Sequence, residues 1–93
     1  MKYKLSDFNG TFIDESGIEI VIKNSNLSIN MFGYKTKYKV QITNENENYY
    51  IKPINVYSFG DMTPLHIENE ELLTSQDMVL DSDRSYTHKF IKK

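Results

Sequence analysis

The chain contains no cysteine and no tryptophan, and only two prolines and four glycines in 93 residues. The missing cysteine excludes disulfides, thiolate chemistry and all-cysteine zinc sites. So few glycines leave no phosphate-cradling loop and no dinucleotide fingerprint. No Gly-x-Ser-x-Gly elbow occurs either. There is no apolar run near the ~20 residues that cross a bilayer. The start, Met1 to Asp7, is charged but lacks the apolar stretch of about 7–15 residues that makes a signal peptide. These absences predict a cytoplasmic protein that is not an enzyme, carries no cofactor and does not enter a membrane.

Positive charge is missing from one long span. Between Pro53 and Asp83 there is no lysine or arginine, and Asp61, Glu68, Glu70, Glu71, Asp77, Asp81 and Asp83 give that stretch seven negative charges. Arg84, Lys89, Lys92 and Lys93 then reverse the sign, so the net charge of −2 conceals the segregation. Such a layout can put a negative patch on the surface and steer encounter with a basic partner.

What the chain does have is alternation. In Tyr34 to Thr43 the even positions Tyr34, Thr36, Tyr38, Val40 and Ile42 suit a core. The odd positions Lys35, Lys37, Lys39, Gln41 and Thr43 want water. A period of two is a β-strand with one buried face. Ile18 to Lys23 repeats the pattern with isoleucine at every even position, where β-branched side chains pack well. Leu27, Ile29 and Met31 alternate with Ser28 and Asn30.

Turn residues recur every eight to twelve positions, as in an antiparallel meander. Asn9-Gly10 predicts a tight hairpin turn after Phe8. Asp14 to Gly17, Asn24 to Asn26, Phe32-Gly33 and Asn44 to Asn48 mark further breaks. Tyr49 to Tyr57 reads as a strand interrupted by Pro53, which cannot donate to a ladder. Met62 to Ile67, Met78 to Leu80 and Ser85 to Lys92 complete the strands. Glu68 to Leu73 fits either one helical turn or a tight connection. The fold expected is all-β, one domain, a small antiparallel meander of about eight short strands closed into a barrel or strongly curved sheet. A two-layer β-sandwich is the alternative.

The opening Phe8-Asn9-Gly10-Thr11-Phe12 resembles that of calycin or lipocalin-like barrels, where Gly-x-aromatic begins the first long strand. Here Phe12 stands where the family has tryptophan, and the chain is short for that family. The resemblance implies a barrel that binds a small apolar ligand, with Arg84 imitating the late arginine that packs over the aromatic. In so small a barrel side chains are expected to fill the interior.

Residues able to carry chemistry are sparse. His66 and His88 match no metal-ligand spacing, and the reading is one surface histidine and one semi-buried, hydrogen-bonded histidine. Asp81-x-Asp83-x-Ser85 opens like a calcium loop, but the required glycine and glutamate are replaced by Tyr86 and Lys92. Glu68, Glu70 and Glu71 lack a nucleophile or orienting partner. Lys35, Lys37 and Lys39 form a basic stripe that could track single-stranded nucleic acid; the acidic balance of the chain weighs against it.

The function expected is therefore protein binding, as an inhibitor of the immunity or phage anti-defence type. The acidic residues Asp61, Glu68, Glu70, Glu71, Asp77, Asp81 and Asp83 would face a basic partner surface. Tyr57 and Phe59 would serve as anchors, aromatics being enriched at the centres of interfaces.

Overall fold

Ile20 and Ile22 are almost fully buried while Val21 and Lys23 face water, so the strand stands with its isoleucine face on a core. The same logic repeats around the molecule. The computed structural model describes residues 2–78 and 86–93. These form a 3-10 helix, Leu5–Phe8, and eight strands: β1 (Gly10–Ile13), β2 (Glu19–Lys23), β3 (Asn26–Met31), β4 (Tyr34–Glu45), β5 (Asn48–Pro53), β6 (Leu65–Asn69), β7 (Leu72–Gln76) and β8 (Thr87–Lys92). Each strand pairs antiparallel with the next, and β8 returns to β1 through Phe12↔Lys92 and Ile13↔Ile91. The meander is thus a closed barrel and not the sandwich.

Phe12, Ile20, Ile22, Leu27, Ile51, Leu65, Leu73 and Phe90 fill the interior from seven of the eight strands. The barrel is packed like any core and holds its own side chains where a carrier would hold a ligand.

Antiparallel strands put their connections at two ends. One end carries the turn Asp14 to Gly17, the turn Phe32-Gly33, the loop 54–64, and Asp77, Met78 and Tyr86. The other carries the 3-10 helix and the turns Asn24-Ser25, Asn46-Glu47 and Glu70-Glu71. At this second end Phe8 is fully buried, Tyr3 packs against both Phe8 and Tyr49, and Leu5 joins the cluster. It is the closed end.

Several expected boundaries shift. Asn9-Gly10 makes no hairpin: the helix ends at Phe8, and Gly10, at φ +135°, begins β1. A Cβ there would lie 3.3 Å from Cε of Lys92, whose Nζ sits 5.9 Å from the centre of the Phe12 ring. The cation over that aromatic is therefore Lys92. Arg84, expected in the role, lies outside the described residues. Proline ends β5 at Pro53, so the strand expected to run to Tyr57 stops early. Met62 makes only single bridges, to Phe59 and Asp77, and β6 starts at Leu65. Glu68 to Leu73 resolves into a tight β6–β7 turn. Met78 belongs to no strand, and Val79, Leu80 and Ser85 lie outside the described residues.

The largest departure is in β4. Its second half obeys the alternation, with Val40 buried and Tyr38 and Ile42 half-buried. Its first half does not: Tyr34 and Thr36 are exposed along with Lys35 and Lys37. Only Val40 to Glu45 pair with β5, while Tyr34 to Lys39 pair with β3 alone. The β3–β4 hairpin overhangs the barrel at the open end.

Candidate functional site

The open end gathers the unusual side chains. The β3–β4 turn places Phe32 at φ +51° and Gly33 at φ +89°. Both positive values belong to the turn type that matches strand twist across a two-residue hairpin. Glycine adopts them freely, whereas a bulky L-residue is strained there. Yet position 32 is a phenylalanine, and it is 74% exposed. Tyr34 beside it is 81% exposed, and Tyr57 on the loop 54–64 is 99% exposed. Val56, Met78 and Tyr86 add further exposed apolar surface at the same end. Burial repays none of these side chains, and the rim has the aromatic-rich, exposed apolar composition that is enriched at protein interfaces.

Phe59 was expected among the exposed anchors and is instead 2% exposed. The loop 54–64 folds back over the barrel, Phe59 and Met62 exchanging backbone hydrogen bonds of 2.9 and 3.0 Å. The Phe59 ring meets Tyr38 edge-on at 5.1 Å. It closes the core under the rim and leaves Tyr57 to face water.

The acidic residues do not gather on one face. Asp61 and Asp77 stand together at the open end, where the N–H of Met78 donates to the carbonyl of Asp61 at 2.7 Å. Glu70 and Glu71 form the β6–β7 turn at the closed end, with Glu68 on the outer face of β6. Asp81 and Asp83 lie outside the described residues.

A buried polar cluster lies beneath the rim. His88 faces inward on β8 and is 4% exposed. Its Nδ1 is 2.6 Å from Asp14 Oδ2, and its Nε2 is 2.7 Å from Asp77 Oδ1. Asp14 also accepts hydrogen bonds of 2.9 Å from the Ser16 hydroxyl and the Ile18 N–H. Burial pushes the His88 pKa down, but the hydrogen bonds to Asp14 and Asp77 and their negative charge outweigh it, and the net shift is upward. For Asp14, burial raises the pKa, and the bonds from His88, Ser16 and Ile18 outweigh it, leaving it below the usual carboxylate value. Asp14, His88 and Asp77 therefore form an ionic clasp joining the β1–β2 turn, β8 and the residue that follows β7. Both imidazole nitrogens are taken, so neither is free to accept a proton from a substrate.

Sequence reasoning expected one surface histidine and one semi-buried, hydrogen-bonded histidine without saying which was which; His88 is the buried one, and its partners were missed. The faint signal was Asp14 opening an Asp-x-Ser turn, since such an aspartate satisfies backbone N–H groups two to four residues on. His66 faces outward, 2.9 Å from Glu68 Oε1 and 3.2 Å from Asn48 Oδ1. The two histidines do not converge.

Two depressions flank Phe32. One of about 450 Å³ is lined by Ser16, Ile18, Met31, Met62, Tyr86 and His88 among others. One of about 310 Å³ runs under the overhanging hairpin, between Met31, Tyr34, Thr36 and Tyr38 on one side and Phe59 to Met62 on the other. Among the described residues no helix is long and apolar enough to cross a membrane. No protein-family model matches the chain, and no curated protein or solved structure matches it either.

Proposed function

We propose that this chain is a non-enzymatic protein-binding module, an inhibitor of the immunity or anti-defence kind, that docks through the open end of its barrel onto a basic partner surface. Phe32 carries the reading. A large aromatic kept in a left-handed conformation, and left in water, works against stability in the isolated molecule, and outliers of this sort are a reason to look for function. Tyr34 and Tyr57 supply further rigid, amphipathic anchors. Asp61 and Asp77 supply the charge that attracts a basic partner, and that part of the attraction weakens as salt rises.

The test compares capture of partners from host lysate by the native chain and by Phe32→Asn, Asp61→Lys and the double variant Glu70→Lys/Glu71→Lys. One protein retained by the native chain and by the closed-end variant, and lost with Phe32→Asn and Asp61→Lys, supports the reading. Equal retention by all four chains overturns it.

A second reading has a specific observation behind it. The depression of about 450 Å³ beside Phe32 could take a small apolar ligand at the mouth, outside the filled barrel. Native mass spectrometry of the purified chain showing an added, apolar-solvent-removable mass would favour it over the protein-binding reading.

A further inference from the structure

The overhanging half of β4 has one unused edge. Backbone groups of successive strand residues point to opposite sides. The Val40 N–H donates to the Ser25 carbonyl at 2.9 Å, on the β3 side. The Lys39 carbonyl accepts from the Ile54 N–H at 2.8 Å, on the β5 side. Tyr34, Thr36 and Tyr38 therefore bond to β3, and the N–H and C=O groups of Lys35 and Lys37 point the other way. β5 does not reach them, because its pairing ends at Val40↔Pro53. Among the described residues these groups have no backbone partner on that side.

We infer that this edge accepts an extended segment of another protein as an added strand, with residues alternating between acidic and apolar. Strand addition uses main-chain hydrogen bonds for affinity and alternate side chains for specificity. Both halves of that requirement are present. On one face of the edge runs the depression of about 310 Å³, whose walls are Tyr34, Tyr38, Met31 and Met62; it suits apolar side chains. On the other face Lys35 and Lys37 are exposed, and opposite-charge pairs across strands are favourable. A second copy of this chain fits poorly. Antiparallel self-pairing about Lys35 or Thr36 sets lysine directly opposite lysine, which is unfavourable. Nucleic acid would use the lysine ammonium groups but not the backbone edge or the apolar groove.

The inference shares with the function proposed above the class of partner, a protein, and the side chain of Tyr34, but it adds the backbone edge of β4 and the Lys35 and Lys37 face. The two can fail separately: Tyr57→Ala removes a rim anchor that lies outside the groove, and changes at Lys37 leave the aromatic rim intact.

The probe is a short capped peptide alternating glutamate with valine, added at low salt and followed by amide NMR and hydrogen exchange on the full chain. The expected result is a shift and slowed exchange of the Lys35 and Lys37 amides, and weaker binding of a peptide alternating lysine with valine. Lys37→Pro removes one outward N–H without touching the β3 ladder, as proline is tolerated on a strand edge. It should weaken the peptide about tenfold relative to Lys37→Gln, which loses the same charge but keeps the N–H. Equal affinities for these two variants would overturn the inference. So would peptide-induced shifts that avoid Lys35 and Lys37. Concentration-dependent protection of these amides without peptide would assign the edge to a second copy and also overturn it. Shifts at the lysines produced by an oligothymidylate but not by the peptide would do the same in favour of nucleic acid.

Discussion

His88 spends its hydrogen bonds on two carboxylates, and the cost of breaking that arrangement is large because its members are out of water. Asp14→Ala leaves a buried imidazolium short of a partner and is expected to lower stability by about 3 kcal/mol in urea unfolding. The pH dependence follows from the two shifts. A raised His88 pKa contributes stability fully below its ordinary 6.5 and loses it as pH climbs through the higher folded value. A lowered Asp14 pKa contributes fully above its ordinary 3.8 and loses it as pH falls through the lower folded value. The melting temperature should thus be highest between those ordinary values and decline on the alkaline side, and His88→Gln should flatten the alkaline decline. Phe32 makes the opposite trade. Phe32→Asn relieves the left-handed strain and should raise stability by about 1 kcal/mol. If it lowers stability instead, the residue is packed and not merely held out for a partner. Neither device was legible in the sequence. His88 and Asp14 are 74 residues apart, and no local pattern couples them. Phe32 could be seen as a turn residue, but its exposure depends on where the hairpin stands relative to the barrel.

β4 shows what alternation can and cannot say. Period two correctly sorted its residues into two faces, and in β2, where the barrel covers one face throughout, the assignment of Ile20 and Ile22 to the core was complete. In β4 the same pattern continues past the end of β5, so Tyr34 and Thr36 share a face with Val40 but have nothing packed over them. A strand pattern reports which residues are on the same side; the neighbouring strand's length decides which of them are buried. Substitution should reproduce this gradient. Tyr38→Asp, with its ring against Phe59, is expected to cost about 1–3 kcal/mol. Tyr34→Asp and Lys37→Asp should each stay within about 0.5 kcal/mol. Comparable loss at positions 34 and 38 in thermal unfolding would contradict the overhang. Asn9-Gly10 failed for a related reason. The dipeptide permits a hairpin, but Phe8 is worth more plugging the closed end than ending a strand, and Gly10 is used to make room for Lys92.

The whole molecule separates by its ends tasks that composition had merged. Seven acidic residues in one basic-free span suggested a single patch. Folding sends Glu70 and Glu71 to the closed end and Asp61 and Asp77 to the open one, because one short hairpin arm lies between them. If the open end is the interface, charge reversal at Glu70 and Glu71 should leave partner affinity nearly unchanged, while Asp61→Lys weakens it more at low salt than at high salt. The closed meander itself was legible, since turn spacing and alternation both depend on neighbours in the chain. Phe90→Ala, in the strand that completes the barrel, is expected to remove about 3–5 kcal/mol.

The seam between β1 and β8 has a kinetic consequence. Every other strand pair joins chain neighbours, and each such hairpin can form as a local event within microseconds. The seam joins Phe12 to Lys92 with two residue pairs, so it cannot form until nearly the whole chain has been gathered, and its loop-closure entropy is the largest of any contact in the sheet. The barrel is then expected to fold as a curling ribbon that zips shut last at this line. With the β5–β6 ladder, this seam is one of the two shortest in the sheet, and opening there would bare Phe12 and Phe90 and two unpaired strand edges.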